Sequence, residues 1–201
     1  LLTFIVSMTL ALILNTKIVG ARFLRSIMMI PWVIPTVIAG LLWAWIYANP
    51  YGLLQYLVSI FSGGKITGFG ILNNQSTALW GIIIAALWKQ IPLMALLLLS
   101  GMQSIPDDML EAAKIDGATK WQTLTRVTIP NIMPSITICL FLTITNGFKL
   151  FDQNLALTNG QPFEQLKDGS VIKTTEMLAL NIYNTFYGQS LTGKGVAQAK
   201  A

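Results

Sequence analysis

Residues 111–130 read EAAKIDGATKWQTLTRVTIP, a stretch with two acidic and three basic side chains. Apolar runs lie on both sides of it, 79–102 and 132–148. A spanning helix needs about 20 largely apolar residues. An island of charge between two such runs therefore marks a loop outside the hydrocarbon, and the fold follows from how runs and islands alternate. Two further runs complete the set, a shorter one at 1–14 and a full one at 27–48.

Composition agrees. Hydrophobic residues make up 54% of the 201 and charged residues only 10%, against about 25% charged in ordinary soluble domains. Mean hydropathy is +0.63. No Asp or Glu occurs before Asp107; four lie between Asp107 and Asp116, and four more between Asp152 and Glu176. Long anion-free runs are what a hydrocarbon solvent demands. The net charge of +5 comes from scattered residues rather than a dense basic stripe, so nucleic acid is not an expected partner. There is no histidine, and the one cysteine, Cys139, sits in an apolar run. That excludes a disulfide framework or a Cys/His metal site within the chain. No nucleophile–base pair and no paired acids at membrane depth point to an embedded enzyme. No catalytic residue, metal or cofactor is expected.

Lys17, Arg22 and Arg25 crowd the link between the first two runs, whereas 49–78 holds only Lys65. Lys and Arg collect on the cytoplasmic side. The first link and 103–131 are thus expected inside, and 49–78 and 150–201 outside. Trp43, Trp45, Tyr47, Tyr51 and Tyr56 fall where an outer aromatic belt would lie. Asn49-Pro50-Tyr51-Gly52 is a turn signal. Leu53–Phe61 has helical apolar spacing and should form a short outer helix ended by Gly63-Gly64. Residues 161–170 are polar and predicted as loop. Residues 174–186 should form an amphipathic helix with Met177, Leu178, Ile182 and Phe186 on one face. The chain opens inside an apolar run and closes without one, so the expectation is a fragment of a longer protein, truncated at both ends.

Within the island, Ser104 and Asp107 have capping-box spacing, and Pro106 suits a first turn. Asp107, Asp108 and Glu111 lie at the positive end of a helix running to Asp116. Gly117 is a good left-handed terminator. Thr119 caps a second helix reaching about Ile129, and Pro130 and Pro134 begin the next span. Ala112 and Ala113 leave a small face beside Glu111, so a close partner could seat there. Spacing alone favours a plain soluble hairpin between spans.

Glu111-Ala112-Ala113, then Gly117, then Val127-Thr128-Ile129-Pro130 resembles the EAA loop of ABC importer permeases, the inner membrane components of binding-protein-dependent transport systems. Val127 and Ile129 depart mildly from its Ile-x-Leu-Pro ending. Ile115-Asp116-Gly117-Ala118, Trp121, PWVIPTVIAGLLWAWIY (31–47), WKQIPLMALLLLSGMQSIP (88–106) and NGFKLFD (146–152) are similar to the carbohydrate-importer branch. Asn159-Gly160-Gln161-Pro162 stands where that family often has a glycine-rich stretch.

The resemblance implies an all-α, polytopic type I importer bundle, multi-pass in the bacterial cytoplasmic (inner) membrane. It implies a coupling helix docked on a cytoplasmic ATPase through Glu111, Ala112, Ala113, Asp116 and Gly117. It implies a second permease subunit forming a heterodimer, two ATPase subunits that carry all ATP hydrolysis, and a solute-binding protein delivering a sugar or oligosaccharide. The alternatives are an importer of glycerol-3-phosphate or a lipid-linked saccharide, and, from another class, a stand-alone channel. A phosphorylated solute would favour several cavity cations, and only Lys89 is evident.

Lys89 and Gln90, with Pro92 expected to kink the helix, are candidates for the solute path, because an ionisable residue at that depth is a functional hypothesis. The competing reading has Lys89 snorkelling or pairing with a neighbouring span. Asn146, Lys149, Phe151 and Asp152 are the other path candidates, against interfacial anchoring with a Lys149–Asp152 pair. GQSLTGKG (188–195) imitates a phosphate loop, but Gly195 replaces the Mg²⁺-binding hydroxyl residue.

Overall fold

The computed structural model describes residues 2–16, 20–65, 68, 70–148, 150–165 and 171–188. Twelve helices are seen among them: α1 Leu2–Leu14, α2 Ala21–Met28, α3 Ile30–Val33, α4 Thr36–Tyr47, α5 Leu53–Phe61, α6 Gln75–Gln103, α7 Asp107–Ile115, α8 Lys120–Thr123, α9 Ile129–Asn131, α10 Met133–Phe148, α11 Asp152–Leu157 and α12 Leu178–Gly188. A π-helical turn, Leu124–Thr128, joins α8 to α9. Strands β1, Phe163–Gln165, and β2, Val171–Lys173, pair antiparallel with Glu164 opposite Ile172.

The chain divides into two compact units, residues 1–33 with 88–146, and 34–87 with 147–201. Helix α6 supplies its C-terminal part to the first and its N-terminal part to the second. At 29 residues it is the one helix among the described residues long and apolar enough to cross a membrane unaided. Its length is about 43 Å at 1.5 Å per residue. It runs through Pro92 without a break, so the predicted kink does not interrupt it.

The expected single span 27–48 is broken. Pro35 offers no N–H, its φ of −53° and ψ of 140° stand outside the helix, and α4 begins after it. A residue preceding proline is pushed out of the helical region, which ends α3 at Val33. Met29 separates α2 from α3. The 132–148 run forms α10, and Ile132 (φ −91°, ψ 9°) marks a 71° bend from the preceding segment.

In the first unit, Ala11, Leu14, Met94, Leu98, Leu99, Met102, Ile105, Ile132, Ile136 and Cys139 form a buried cluster. Where apolar helices face an apolar solvent, close backbone approach replaces hydrophobic burial as the organising force. The small residues show where this occurs. A Cβ at Gly101 would lie 2.5 Å from the Ser135 Oγ, so α6 and α10 meet at that glycine. Ser7, fully buried, donates to the Ile91 carbonyl at 3.3 Å and ties α1 to α6.

In the second unit, α11 packs on α4. A Cβ at Gly40 would stand 2.7 Å from the Ala156 Cβ and 3.3 Å from the Gln153 carbonyl oxygen. Gly40→Leu should therefore push the two helices apart and lower stability by about 1–3 kcal/mol. Thermal unfolding in detergent measures it, and an unchanged midpoint would count against this packing. Tyr47 is 5% exposed, stacks at 5.1 Å on Trp43, and donates its hydroxyl to the Gly81 carbonyl at 3.3 Å. It is a core residue and not part of an aromatic belt; Trp45, Tyr51 and Tyr56 are exposed. The turn at 49–52 and the helix 53–61 form as the spacing predicts, with Gly63 and Gly64 both at positive φ after it.

Two expectations in the last third are corrected. Phe163–Gln165 is a strand and not loop. The helix starts at Leu178 rather than 174, and Leu178 and Phe186 are exposed while Leu180 is fully buried. The residues before it are held by side chains instead. Glu176 accepts from Asn184 Nδ2 at 2.6 Å and Asn181 Nδ2 at 3.1 Å, and pairs with Lys173 at 3.4 Å. Burial pushes the Glu176 pKa up, but the hydrogen bonds from Asn184 and Asn181 and the Lys173 cation outweigh it and hold the carboxyl below its usual value. A depressed folded pKa stabilises above the unfolded value, about 4.3 for Glu, and that contribution is lost as pH falls through the folded pKa. Glu176→Gln should accordingly flatten the acid limb of a melting-temperature profile. A limb of unaltered steepness would refute the assignment.

Candidate functional site

The charged island is a hairpin built on the first unit. Pro106, with φ −58° and ψ 136°, is the N-cap of α7, one position earlier than a first-turn proline. The Ser104–Asp107 capping box does not form, because the Ser104 hydroxyl donates to the Gly101 carbonyl at 2.7 Å and finishes α6 instead. Asp107 and Asp108 occupy the first turn of α7 and Lys114 its last, each sign at the end of the helix dipole that favours it.

Helix α7 ends in a Schellman motif. Ala118 N–H donates to the Ala113 carbonyl at 3.0 Å and Gly117 N–H to Lys114 at 3.1 Å, while Gly117 sits at φ +74°. Thr119 then caps α8 as expected. Its hydroxyl accepts from Gln122 N–H at 3.3 Å, and the Gln122 side chain accepts from Thr119 N–H at 2.8 Å. The two helices of the hairpin are thus fixed at the turn by four local bonds.

Leu110 packs on the buried cluster, and Ala113 is 8% exposed. Those two residues seat α7. At 100° per residue the opposite face carries Asp108, Glu111 and Ile115, and all three are exposed. Ala112, Asp116 and Gly117 are exposed as well. None of Asp107, Asp108, Glu111 and Asp116 takes part in an ion pair among the described residues. Ile115 is 85% exposed and Trp121 72%. The site therefore offers unpaired carboxylates flanked by large apolar side chains, a combination suited to a protein surface. The sequence reading missed Ile115 as part of this face. Its signal was an isoleucine placed opposite Leu110 and Ala113, among acids.

The solute-path candidates are not gathered in one place. Lys89 and Gln90 are half-buried on α6. Lys89 Nζ donates to the Trp32 carbonyl at 3.4 Å, an acceptor at the end of α3 where the helix breaks. That bond favours the pairing reading of Lys89. Asn146 is exposed on the last turn of α10. Lys149 lies outside the described residues, as does nearly all of 188–195. Phe151 stacks at 5.0 Å on Tyr183, and Asp152 is the exposed first residue of α11.

These features define a class: an α-helical membrane protein that carries a braced, acid-bearing hairpin beyond its apolar helices. The chain belongs to the family of binding-protein-dependent transport system inner membrane components, whose sequence profile matches residues 4–193. It is 36% identical over 197 residues to the probable starch degradation products transport system permease protein AmyD of Thermoanaerobacterium thermosulfurigenes, covering 98% of this chain and 62% of that protein. It is 36% identical over 180 residues to the trehalose/maltose transport system permease protein MalF of Thermococcus litoralis, covering 90% of this chain and 58% of that protein. The chain thus spans about three fifths of the length of these curated relatives. The crystal structure of a bacterial ABC transporter involved in import of the acidic polysaccharide alginate superposes with a TM-score of 0.78 at 22% identity, over 98% of this chain and 65% of that one. At that identity the likeness shows the fold alone, a predominantly helical bundle to which the β1–β2 pair is a small addition.

Proposed function

We propose that the chain is the membrane-spanning permease of an ATP-driven importer that moves a sugar or oligosaccharide, with no catalytic chemistry of its own. In this reading it pairs with a second permease, α7 docks on one of two cytoplasmic ATPase subunits, and a solute-binding protein delivers cargo from the other side. Residues 103–131 lie inside the cell, and 49–78 and 150–201 outside. The relatives named for starch products and for trehalose and maltose support a carbohydrate cargo over a phosphorylated one.

The observation that carries the reading is the absence of slack around α7. Only Ser104, Ile105 and Pro106 separate it from α6, and Ile105 is buried in the cluster. On the other side α9 is followed by Ile132 and then α10. A force applied at Glu111 therefore reaches both apolar helices without an intervening flexible loop. Closure of ATP-bound motors would move α7, and α6 and α10 with it, opening the path to the opposite side. Gln90, Asn146 and Asp152 are the path candidates in this reading.

Two measurements test it. Affinity purification of the full-length permease should retain an ATP-hydrolysing subunit, and uptake should be found on a panel of maltose, trehalose, maltotriose and glycerol-3-phosphate. Absence of an ATPase, or uptake of glycerol-3-phosphate alone, would overturn the corresponding half of the proposal.

A further inference from the structure

The segment from Lys120 to Asn131 is not a uniform α-helix. Leu124–Thr128 is π-helical, and Ile129 N–H donates to the Leu124 carbonyl, five residues back. Such turns are rare and lie mostly within α-helices, often at functional sites. The cause here is Pro130. In an α-helix its ring would press on the carbonyl four residues earlier, that of Arg126, and the wider turn makes room. Asn131 compensates for part of the disturbance: its Nδ2 donates to the Val127 carbonyl at 2.7 Å.

The bonding leaves the turn with two settings. At π spacing the donor for the Thr125 carbonyl would be Pro130, which has no N–H. At α spacing that donor is the Ile129 N–H, now given to Leu124. One donor thus stands between two adjacent acceptors, and moving it from one to the other exchanges a hydrogen bond without losing one. The flanks are firm. The Thr119–Gln122 capping box fixes one end, and Ile132, 1% exposed, fixes the other.

We propose that the Leu124–Thr128 turn is a register joint in the lever between the hairpin tip and α10, alternating between Leu124 and Thr125 as acceptor when a motor subunit moves α7. The inference rests on the permease reading above. A one-residue change of register displaces the two flanks by about 1.5 Å along the axis and rotates them by up to about 100°. The joint takes up part of the stroke that the tightly packed α6–α10 contact at Gly101 and Ser135 does not absorb.

The test uses the assembled transporter in lipid nanodiscs, in a Cys139→Ala background, with spin labels on Lys120→Cys and Met133→Cys. Both native positions are exposed and bracket the turn. With ATP and vanadate the label separation should shift by at least about 1.5 Å relative to the nucleotide-free state. Deleting Thr125 together with Pro130→Ala removes both the extra residue and the ring that demands it, leaving a plain α-helix with its flanks in phase, so this variant should keep its ATPase and lose the shift. Should the deletion fail to accumulate, Pro130→Ala serves, and it should change the resting separation and abolish the response. A static separation in the undeleted protein overturns the joint, as does a shift that persists in the variant. An undeleted protein that retains no ATPase overturns the permease reading first, and the joint with it.

Discussion

Replacing Glu111 by alanine is expected to release the ATPase while leaving the permease folded in the membrane. The carboxylate is exposed, has no ion-pair partner among the described residues, and stands on a helix whose other face is seated by Leu110 and Ala113. No hydrogen bond or ion pair among the described residues depends on it. A hydrogen bond to a charged group contributes about 1.5–3 kcal/mol, so its loss at the proposed docking surface should weaken retention of the ATPase roughly ten- to a hundredfold. Uptake should fall at least as far. Glu111→Gln should recover part of the loss, because the amide keeps an acceptor oxygen. Gly117→Leu should act by a different route. No atom lies within 4 Å of a Cβ placed there, but the residue is at φ +74°. A side chain in that region costs about 1–2 kcal/mol, and the Schellman turn would open and misdirect Asp116 and Ile115. Quantified ATPase in pull-downs, normalised to membrane-inserted permease, separates these outcomes. Equal retention by wild type, Glu111→Ala and Gly117→Leu would remove the hairpin from the coupling surface.

The hairpin was the most legible part of the chain because its signals are local. The limits of α7, the left-handed Gly117 and the Thr119 cap each follow from a few neighbouring residues, and the structure has all three. The cap at Ser104 was misread because a serine there has two uses, and closing α6 at Gly101 won. The break at Pro35 escaped for another reason. Hydropathy counts apolar residues and is blind to missing N–H donors, so a run broken in two still scores as one span. Tyr47 was assigned by residue type to an interface, yet its place is decided by a carbonyl 34 residues away at Gly81. Strand Phe163–Gln165 lies in a stretch, 161–170, that reads as polar, and its pairing with Val171–Lys173 is what makes it a strand. The acidic face of α7 around Glu111 was visible in sequence; its exposed isoleucine became evident only once the seat of the helix was known.

The same distinction between local and distant signals governs the largest stability effect expected, at Asn154. This residue follows an apolar-to-polar transition that suggested nothing in sequence, and it is fully buried. Its Nδ2 donates to the Thr175 carbonyl at 2.8 Å, and its Oδ1 accepts from the Thr158 hydroxyl at 2.9 Å. The Thr175 hydroxyl, itself buried, donates to the Gln161 carbonyl at 2.7 Å and lies 2.9 Å from the Thr158 hydroxyl. One side chain thus ties α11 to the turn that leads into α12. Asn154→Leu preserves volume but strands the Thr175 carbonyl in a site closed to water, at about 1–3 kcal/mol, while the Thr158 hydroxyl keeps the backbone carbonyl at position 154 and the Thr175 hydroxyl as partners. The melting midpoint should fall by several degrees, and proteolysis should open first between Thr158 and Glu176. Thr158→Val should cost less, because Thr175 retains its bond to Gln161 and Asn154 its bond to Thr175. A double variant should fall short of the sum of the two single losses, since both remove the same Thr158–Asn154 bond. Strict additivity, or an Asn154→Leu protein as stable as wild type, would mean that the carbonyl of Thr175 finds another donor and that apolar contact alone holds α11 in place.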